Sequence, residues 1–211
     1  FTFMTWYPEP RQARSQRSTQ ALLDAATSLL DEKPFDQVTV QQLVGRAGVS
    51  TGTFYARFGG KEAILHALHE QVLAEMAEAF GAMGTPANLE EAIAGHVSTL
   101  VRQLRRQRLR LIQIRRNVSP AARPVFEERS RAFQDRISAR GRTAFEAGGH
   151  RLTHPQPGLA VTLALFFAAA AAREAVLEDG LKTWPVAIGD DILAREITRS
   201  WLGYLGLAHE M

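Results

Sequence analysis

Apolar residues recur at intervals of three and four through nearly the whole chain, and hardly anywhere at intervals of two. Leu22, Ala25, Ala26, Leu29 and Leu30 form one such stripe, closed by Pro34, which predicts a helix over 18–33. Ile64, Leu65, Leu68, Val72, Met76 and Phe80 form a longer one and predict a helix over 60–83. Gly84 to Asn88 is a cluster of helix breakers and the best candidate for a domain boundary. Behind it the pattern predicts helices over 89–107, 109–117, 120–147, 158–179 and 190–209. Pro120 and Pro124 favour a start, and Gly148 and Gly149 a stop. No strand, repeat or low-complexity tract is visible. The expected fold class is all-α, with three helices in front and a helical bundle behind.

Between the first two long stripes lies the most informative segment, residues 39–62. Thr39 is placed to cap a short helix, with Gln42 three residues on to complete a capping box. Leu43, Val44 and Ala47 give that helix one apolar face, and Gly48 can supply the left-handed residue that ends it. Ser50 then caps a second short helix, which needs only Phe54 and Phe58 on its buried side. Its other side carries Thr51, Gly52, Thr53 and Tyr55: small, hydrogen-bonding and nearly uncharged. Such a face suits entry into the major groove of DNA. Gly52 stands out, because glycine inside a helix costs about 1 kcal/mol relative to alanine. A missing β-carbon lets the backbone approach a groove.

Val49 to Tyr55, Phe58 and the run Lys61-Glu62-Ala63-Ile64-Leu65 resemble the DNA-binding signature of TetR-type transcriptional repressors. The upstream stretch from Ala21 to Ala26, leading into Phe35, Val38, Thr39 and Val40, is similar as well. The resemblance covers roughly residues 17–66 and divides the chain into an N-terminal arm (1–16), a helix-turn-helix domain (17–66) and a regulatory and dimerisation domain (67–211). It implies that Thr51, Gly52 and Thr53 face base edges and that Tyr55 sets its hydroxyl on a phosphate. Arg57 would reach base or backbone, while Thr39 and Gln41 would touch phosphate and base; Ser50 belongs to the same DNA-binding set. Lys61, in the first turn of a helix, opposes the helix dipole, so a docked phosphate would explain it. Arg14 and Arg17 on the arm are further candidates for contacts to DNA.

Composition sharpens this picture. The formal net charge is only +3 over 211 residues. Its distribution is uneven: residues 88–156 hold 14 Lys and Arg against 6 Asp and Glu, whereas residues 157–211 hold 4 against 7. The chain has no cysteine, which excludes disulfides and thiolate chemistry and suits a cytoplasmic protein. Phe1 to Pro10 lacks the cationic start of a secretory signal. The longest apolar run, residues 159–172, is short of the roughly 20 residues of a bilayer span, so no membrane is expected.

A single short recognition helix reads too few base pairs to find an address in a genome, which predicts a homodimer on a palindromic operator. Leu163, Phe167 and Ala170, with Ile197, Trp201, Tyr204 and Leu205, form the candidate dimer interface. The alternative is that these stripes close the core of one chain. The resemblance also implies a small-molecule effector bound in the rear domain, with Leu104, Arg108, Ile112, Phe126, Phe133 and Phe166 as the candidate pocket.

Seven arginines between Arg102 and Arg116 allow two readings. In a continuous helix, Arg108 would clamp a carboxylate or phosphate among apolar neighbours. A break near Gln107 would turn most of them to solvent, and this second reading is the stronger. His66, His69 and Glu70 do not have metal-site spacing, and no catalytic motif, metal site or cofactor fingerprint is found. The expected function is a ligand-responsive DNA-binding transcriptional regulator, a repressor, and not an enzyme. The rivals are a DNA-binding regulator whose rear domain binds a protein partner and, further off, an all-helical ligand carrier or enzyme.

Overall fold

Leu22, Ala26, Leu29 and Leu30 are all buried on one side of the first helix, as their spacing requires. The structure, a computed structural model, describes residues 13–84, 86–147, 155–178 and 188–206; expectations for the other segments, such as the stop at Gly148 and Gly149, lie outside it. Helix α1 spans Ala13–Glu32 and so starts inside the segment expected to be an arm. The apolar pattern is silent there because buried Ser15 and Thr19 stand on the inner face, where the Thr19 hydroxyl donates to the Ser15 carbonyl at 3.1 Å.

After Pro34 the chain makes a 3-10 turn, Phe35–Gln37, which the periodicity did not reveal. Helices α2 (Val40–Ala47), α3 (Thr51–Phe58) and α4 (Lys61–Gly81) follow. Then come α5 (Leu89–Arg106), α6 (Arg108–Asn117), α7 (Arg123–Ala147), α8 (Pro157–Leu177) and α9 (Asp190–Tyr204). The described residues contain no strand, so the chain is all-α. The break at Gln107 is real: it caps α5 with φ −92° and ψ 2°, and α6 starts anew beyond it.

The chain forms two compact units. The first comprises residues 1–74 and 109–129, the second residues 75–108 and 130–211. Residues 109–129 thus cluster with the front of the chain, although sequence reading assigned them to the rear domain. The reason lies in tertiary packing. Ile114, Val118 and Phe126 complete the apolar core begun by Leu22, Phe35, Leu43, Phe54 and Leu65. Polar bonds fix the same docking: Gln113 Oε1 accepts from the Phe35 N–H at 3.1 Å, and Glu62 accepts from the Ser119 N–H at 3.1 Å. The bonds from Ser119 hold the Glu62 carboxyl below its ordinary pKa. His66 and His69 are buried against the Phe126 ring, with centroids 4.4 and 4.8 Å away, and Arg129 pairs with Glu70 at 2.7 Å.

In the second unit, α5, α8 and α9 pack on one another. Ala160, Ala164, Ala168 and Ala172 give α8 a buried face of small residues, which lets neighbouring backbones come close. Arg105 on α5 pairs with Asp190 at the start of α9, at 2.6 Å. The helical stretch Gly158–Leu177 is 20 residues long and apolar enough to cross a membrane by length and composition, so the expectation drawn from a shorter apolar run does not hold on length alone. Its inner face is packed against α5 and α9.

Two histidines are held neutral by this packing. His69 is pushed down to about 4 by burial, then by the Arg129 guanidinium and by His66. His96, between the rings of Phe80 and Trp201, is pushed down to about 4 by burial. Unfolded, each takes a proton near 6.5, whereas the native state resists until about 4. Their contribution to stability is therefore complete above pH 6.5 and is lost progressively as pH falls toward 4. Urea midpoints by circular dichroism at pH 7.5, 5.5 and 4.5 should fall in that order, and His69→Phe should flatten part of the decline.

Candidate nucleic-acid interface

The Thr39 hydroxyl accepts from the Gln42 N–H at 3.2 Å and the Gln42 side chain accepts from the Thr39 N–H at 3.1 Å, so α2 opens with a complete capping box. Gly48 ends it at φ 65°, a conformation that L side chains rarely adopt. Ser50 then caps α3 by accepting from the Thr53 N–H at 3.1 Å, and Gly59 ends that helix at φ 62°. Only eight residues long, α3 is too short to persist alone in water. Phe54, 0% exposed, and Phe58 hold it in the core, each contributing about 1.5–3 kcal/mol.

That anchoring decides what the other side shows. Tyr55 is 52% exposed, its ring edge-on to Phe54 at 5.2 Å. Gly52 is exposed, Thr51 and Thr53 are half-buried, and Gln41 and Thr39 are exposed at the start of α2. The expected face is thus assembled and open within the first unit. Thr39 and Ser50 use an oxygen lone pair for capping and keep a hydroxyl proton to donate elsewhere. Ser50 and Thr53 hydroxyls also share a 2.9 Å bond. Arg57 is half-buried, with its Nε covered and without an acceptor. Arg17 is exposed on α1, whereas the side chain of Arg14 lies outside the description.

Lys61 has a different job from the one its position suggested. Its ammonium donates to the carbonyls of Phe35 and Val38, both at 2.9 Å, and to that of Asp36 at 3.3 Å. It also lies 4.6 Å from the centroid of the Phe35 ring. All three donors are therefore engaged inside the protein, closing the 3-10 turn onto the start of α4. A phosphate at this point would have to compete with three carbonyls.

Comparison with known proteins bears on this same segment. Residues 22–68, which contain α2, α3 and this turn, match the family described as "Bacterial regulatory proteins, tetR family". Over that segment the chain carries the DNA-binding part of the TetR family. It is 31% identical over 61 residues to the A-factor receptor protein of Streptomyces griseus, a stretch that is 29% of this chain and 22% of that one. The chain spans less than a third of the length of the curated relatives it matches. The fold extends further. A TetR-family protein of Vibrio parahaemolyticus superposes with TM-score 0.58 at 25% identity, covering 87% of this chain and 96% of that one. The regulator FadR of Bacillus subtilis, solved with stearoyl-CoA, superposes with TM-score 0.60 at 20% identity, covering 90% and 100%.

Elsewhere in the chain the candidate residues are redistributed. Leu104, Arg108 and Phe133 lie in the second unit, but Ile112 and Phe126 lie in the first, where Phe126 is packed against the two histidines. Phe166 is 57% exposed, because the alanines occupy the inner face of α8 and the aromatics face out. Arg108 donates through Nε to the Val176 carbonyl at 2.8 Å, a bond within the fold that competes with the weaker of its two readings, the carboxylate clamp. Of the candidate dimer residues, Ile197, Trp201 and Leu205 are buried in the core of their own unit. Phe167 and Tyr204 are exposed, with rings 5.9 Å apart, and Leu163 and Ala170 are half-buried.

The two roles of Lys61 give opposite signs. Lys61→Met should cost about 2–3 kcal/mol of stability, since three carbonyls lose a charged donor. A lysine serving only a phosphate would leave stability unchanged or raised. Urea unfolding in the absence of DNA checks this.

Proposed function

We propose that this protein is a ligand-responsive transcriptional regulator of the TetR family, a repressor that binds a palindromic operator as a homodimer in the cytoplasm and leaves it when a small molecule binds the rear unit. The observation that carries the reading is the outward face of α3. Thr51, Gly52, Thr53 and Tyr55 are displayed there, while Phe54 and Phe58 alone hold the helix in place. Gly52 supports it further. A β-carbon at that position would meet the Ser50 hydroxyl at an ordinary 3.8 Å, so nothing in the fold excludes alanine. Glycine is unfavourable for the helix and useful for close approach to a base pair.

A dimer is supported by the outward stripe of α8. Leu159, Leu163, Phe166 and Ala170 recur there at intervals of four and three, beside exposed Phe167. An apolar face of this kind next to the α9 residue Tyr204 suits a two-fold four-helix contact. The names of two relatives bear on the effector: one is a receptor for A-factor, and the FadR neighbour holds stearoyl-CoA. A ligand releases DNA only through preferring the conformer that fits the operator poorly. The rival in which the rear unit meets a different protein rests on the same stripe.

Gly52→Ala should stabilise the protein by about 0.5–1 kcal/mol and yet weaken operator binding at least ten-fold. Tyr55→Phe should weaken binding about five-fold and lower its salt dependence. Duplexes selected from a random pool should contain two half-sites with centres about one helical turn, or a multiple, apart. Indifference to every duplex at low ionic strength would defeat the reading.

The double variant Phe166→Ser, Phe167→Ser should sediment as a monomer and lose operator affinity, with circular dichroism unchanged. A wild-type monomer that gains mass only with another protein would favour the rival.

A further inference from the structure

Helix α5 and its C-cap carry a polar stripe that the fold does not explain. Half-buried His96 and buried Gln103 and Gln107 recur at intervals of seven and four and share one face. Gln107 is 0% exposed. Its Nε2 donates to Glu75 at 2.7 Å, and this fixes the amide orientation, since the carboxylate only accepts. Its Oε1 is therefore turned the other way, and it is buried without a donor. Three turns earlier on the same face, the ring of His96 lies 5.8 Å from that of Trp201. Trp201 is 7% exposed, and its Nε1–H is buried without an acceptor. An orphan donor beside His96 and an orphan acceptor on Gln107 thus mark the two ends of one stripe, whose positions 96 and 107 are about 16 Å apart along the helix axis.

Each such orphan is costly in a native core and calls for a partner. The surroundings define that partner. Between the ends the neighbouring side chains of α5 are Val97, Leu100, Val101 and Leu104, all buried. At one end His96 is held neutral, with its ring tilted against Phe80 and edge-on to Trp201. At the other, the Glu75 carboxylate beside Gln107 disfavours an anion. Of the two arginines flanking Gln107, Arg106 is exposed and Arg108 gives its Nε to the Val176 carbonyl.

We propose that this stripe, within the second unit, is the effector site, and that it takes an elongated, uncharged, mainly apolar molecule with a hydrogen-bond acceptor at the Trp201 end and a donor at the Gln107 end. The proposal rests on the reading that the rear unit binds a small molecule, and adds the ligand class and the two residues that select it. Trp201 gives its N–H to the acceptor. Gln107 receives the donor on Oε1 while keeping its bond to Glu75.

Calorimetry on the full chain with three defined compounds tests this. Methyl ω-hydroxydodecanoate carries an ester carbonyl at one end and a hydroxyl at the other, at a separation comparable to the length of the stripe. It should bind, and methyl dodecanoate, which lacks the hydroxyl, should bind about five-fold or more weakly. The anion ω-hydroxydodecanoate should bind at least ten-fold more weakly. Trp201→Phe and Gln107→Met should each remove about five-fold of the affinity for the hydroxy ester, and in Gln107→Met the two esters should become equal. No binding by the hydroxy ester, equal binding of all three compounds, or tighter binding of the anion would overturn the proposal. Operator release, followed separately by fluorescence anisotropy, distinguishes the two readings. Release by stearoyl-CoA with unchanged potency in Trp201→Phe and Gln107→Met overturns this site and keeps the regulator. Binding of the hydroxy ester without release keeps the site and overturns its coupling to DNA.

Discussion

An eight-residue helix has no stability of its own in water, and the proposed reading of DNA depends on one. α3 exists because Ser50 satisfies its first N–H groups, Gly59 turns the chain out of it, and Phe54 and Phe58 are held in the core of the first unit. Those two aromatics are one helical turn apart, so a single narrow side is anchored. The opposite side is then free of any folding duty, and it is there that Thr51, Gly52, Thr53 and Tyr55 stand. The same constraint explains why the neighbouring turn needs Gly48: a left-handed residue between two capped helices directs α3 back onto α1 and α2.

Lys61 shows how magnitudes decide between two explanations of one residue. A cation in the first turn of α4 opposes the helix dipole by about 0.3–1 kcal/mol at an exposed site. Hydrogen bonds from a charged donor are each worth about 1.5–3 kcal/mol. Three carbonyls converging from the turn after α1 therefore outweigh the dipole term, and the lysine is favourable without any ligand. The docking of Gln113 on the Phe35 N–H and of Ser119 on Glu62 follows the same logic, because each satisfies a backbone donor outside the regular helix ladders.

The second unit is organised by the size difference between the two sides of α8. Small alanines inside allow α5 and α9 to approach closely, while Phe166 and Phe167, too large for that space, project outward. A helix that is apolar on both sides has a partner for one of them in its own chain, which is why a second copy is the natural reading for the other. The interior of the same unit is unusual in the opposite way: Gln107 and Trp201 place polar atoms where apolar ones would be more stable.

Local order was legible from residues 39–62 because caps, turn glycines and anchoring aromatics act within a few positions of one another. The capping box of Thr39 and Gln42, the φ of Gly48, the cap at Ser50 and the exposure of Tyr55 all follow from short-range geometry, as do the helix count behind them and the break at Gln107. Periodicity states that a residue has an inner side; it does not name what that side meets. Whether Trp201 and Leu205 close their own core or a dimer, whether Phe126 faces a ligand or two histidines, and where Lys61 sends its protons were settled by residues 23 to 105 positions away in the chain. Such contacts are decided by how helices pack, through volume, burial and the need of every buried polar group for a partner, and none of these is written in the spacing of a single helix.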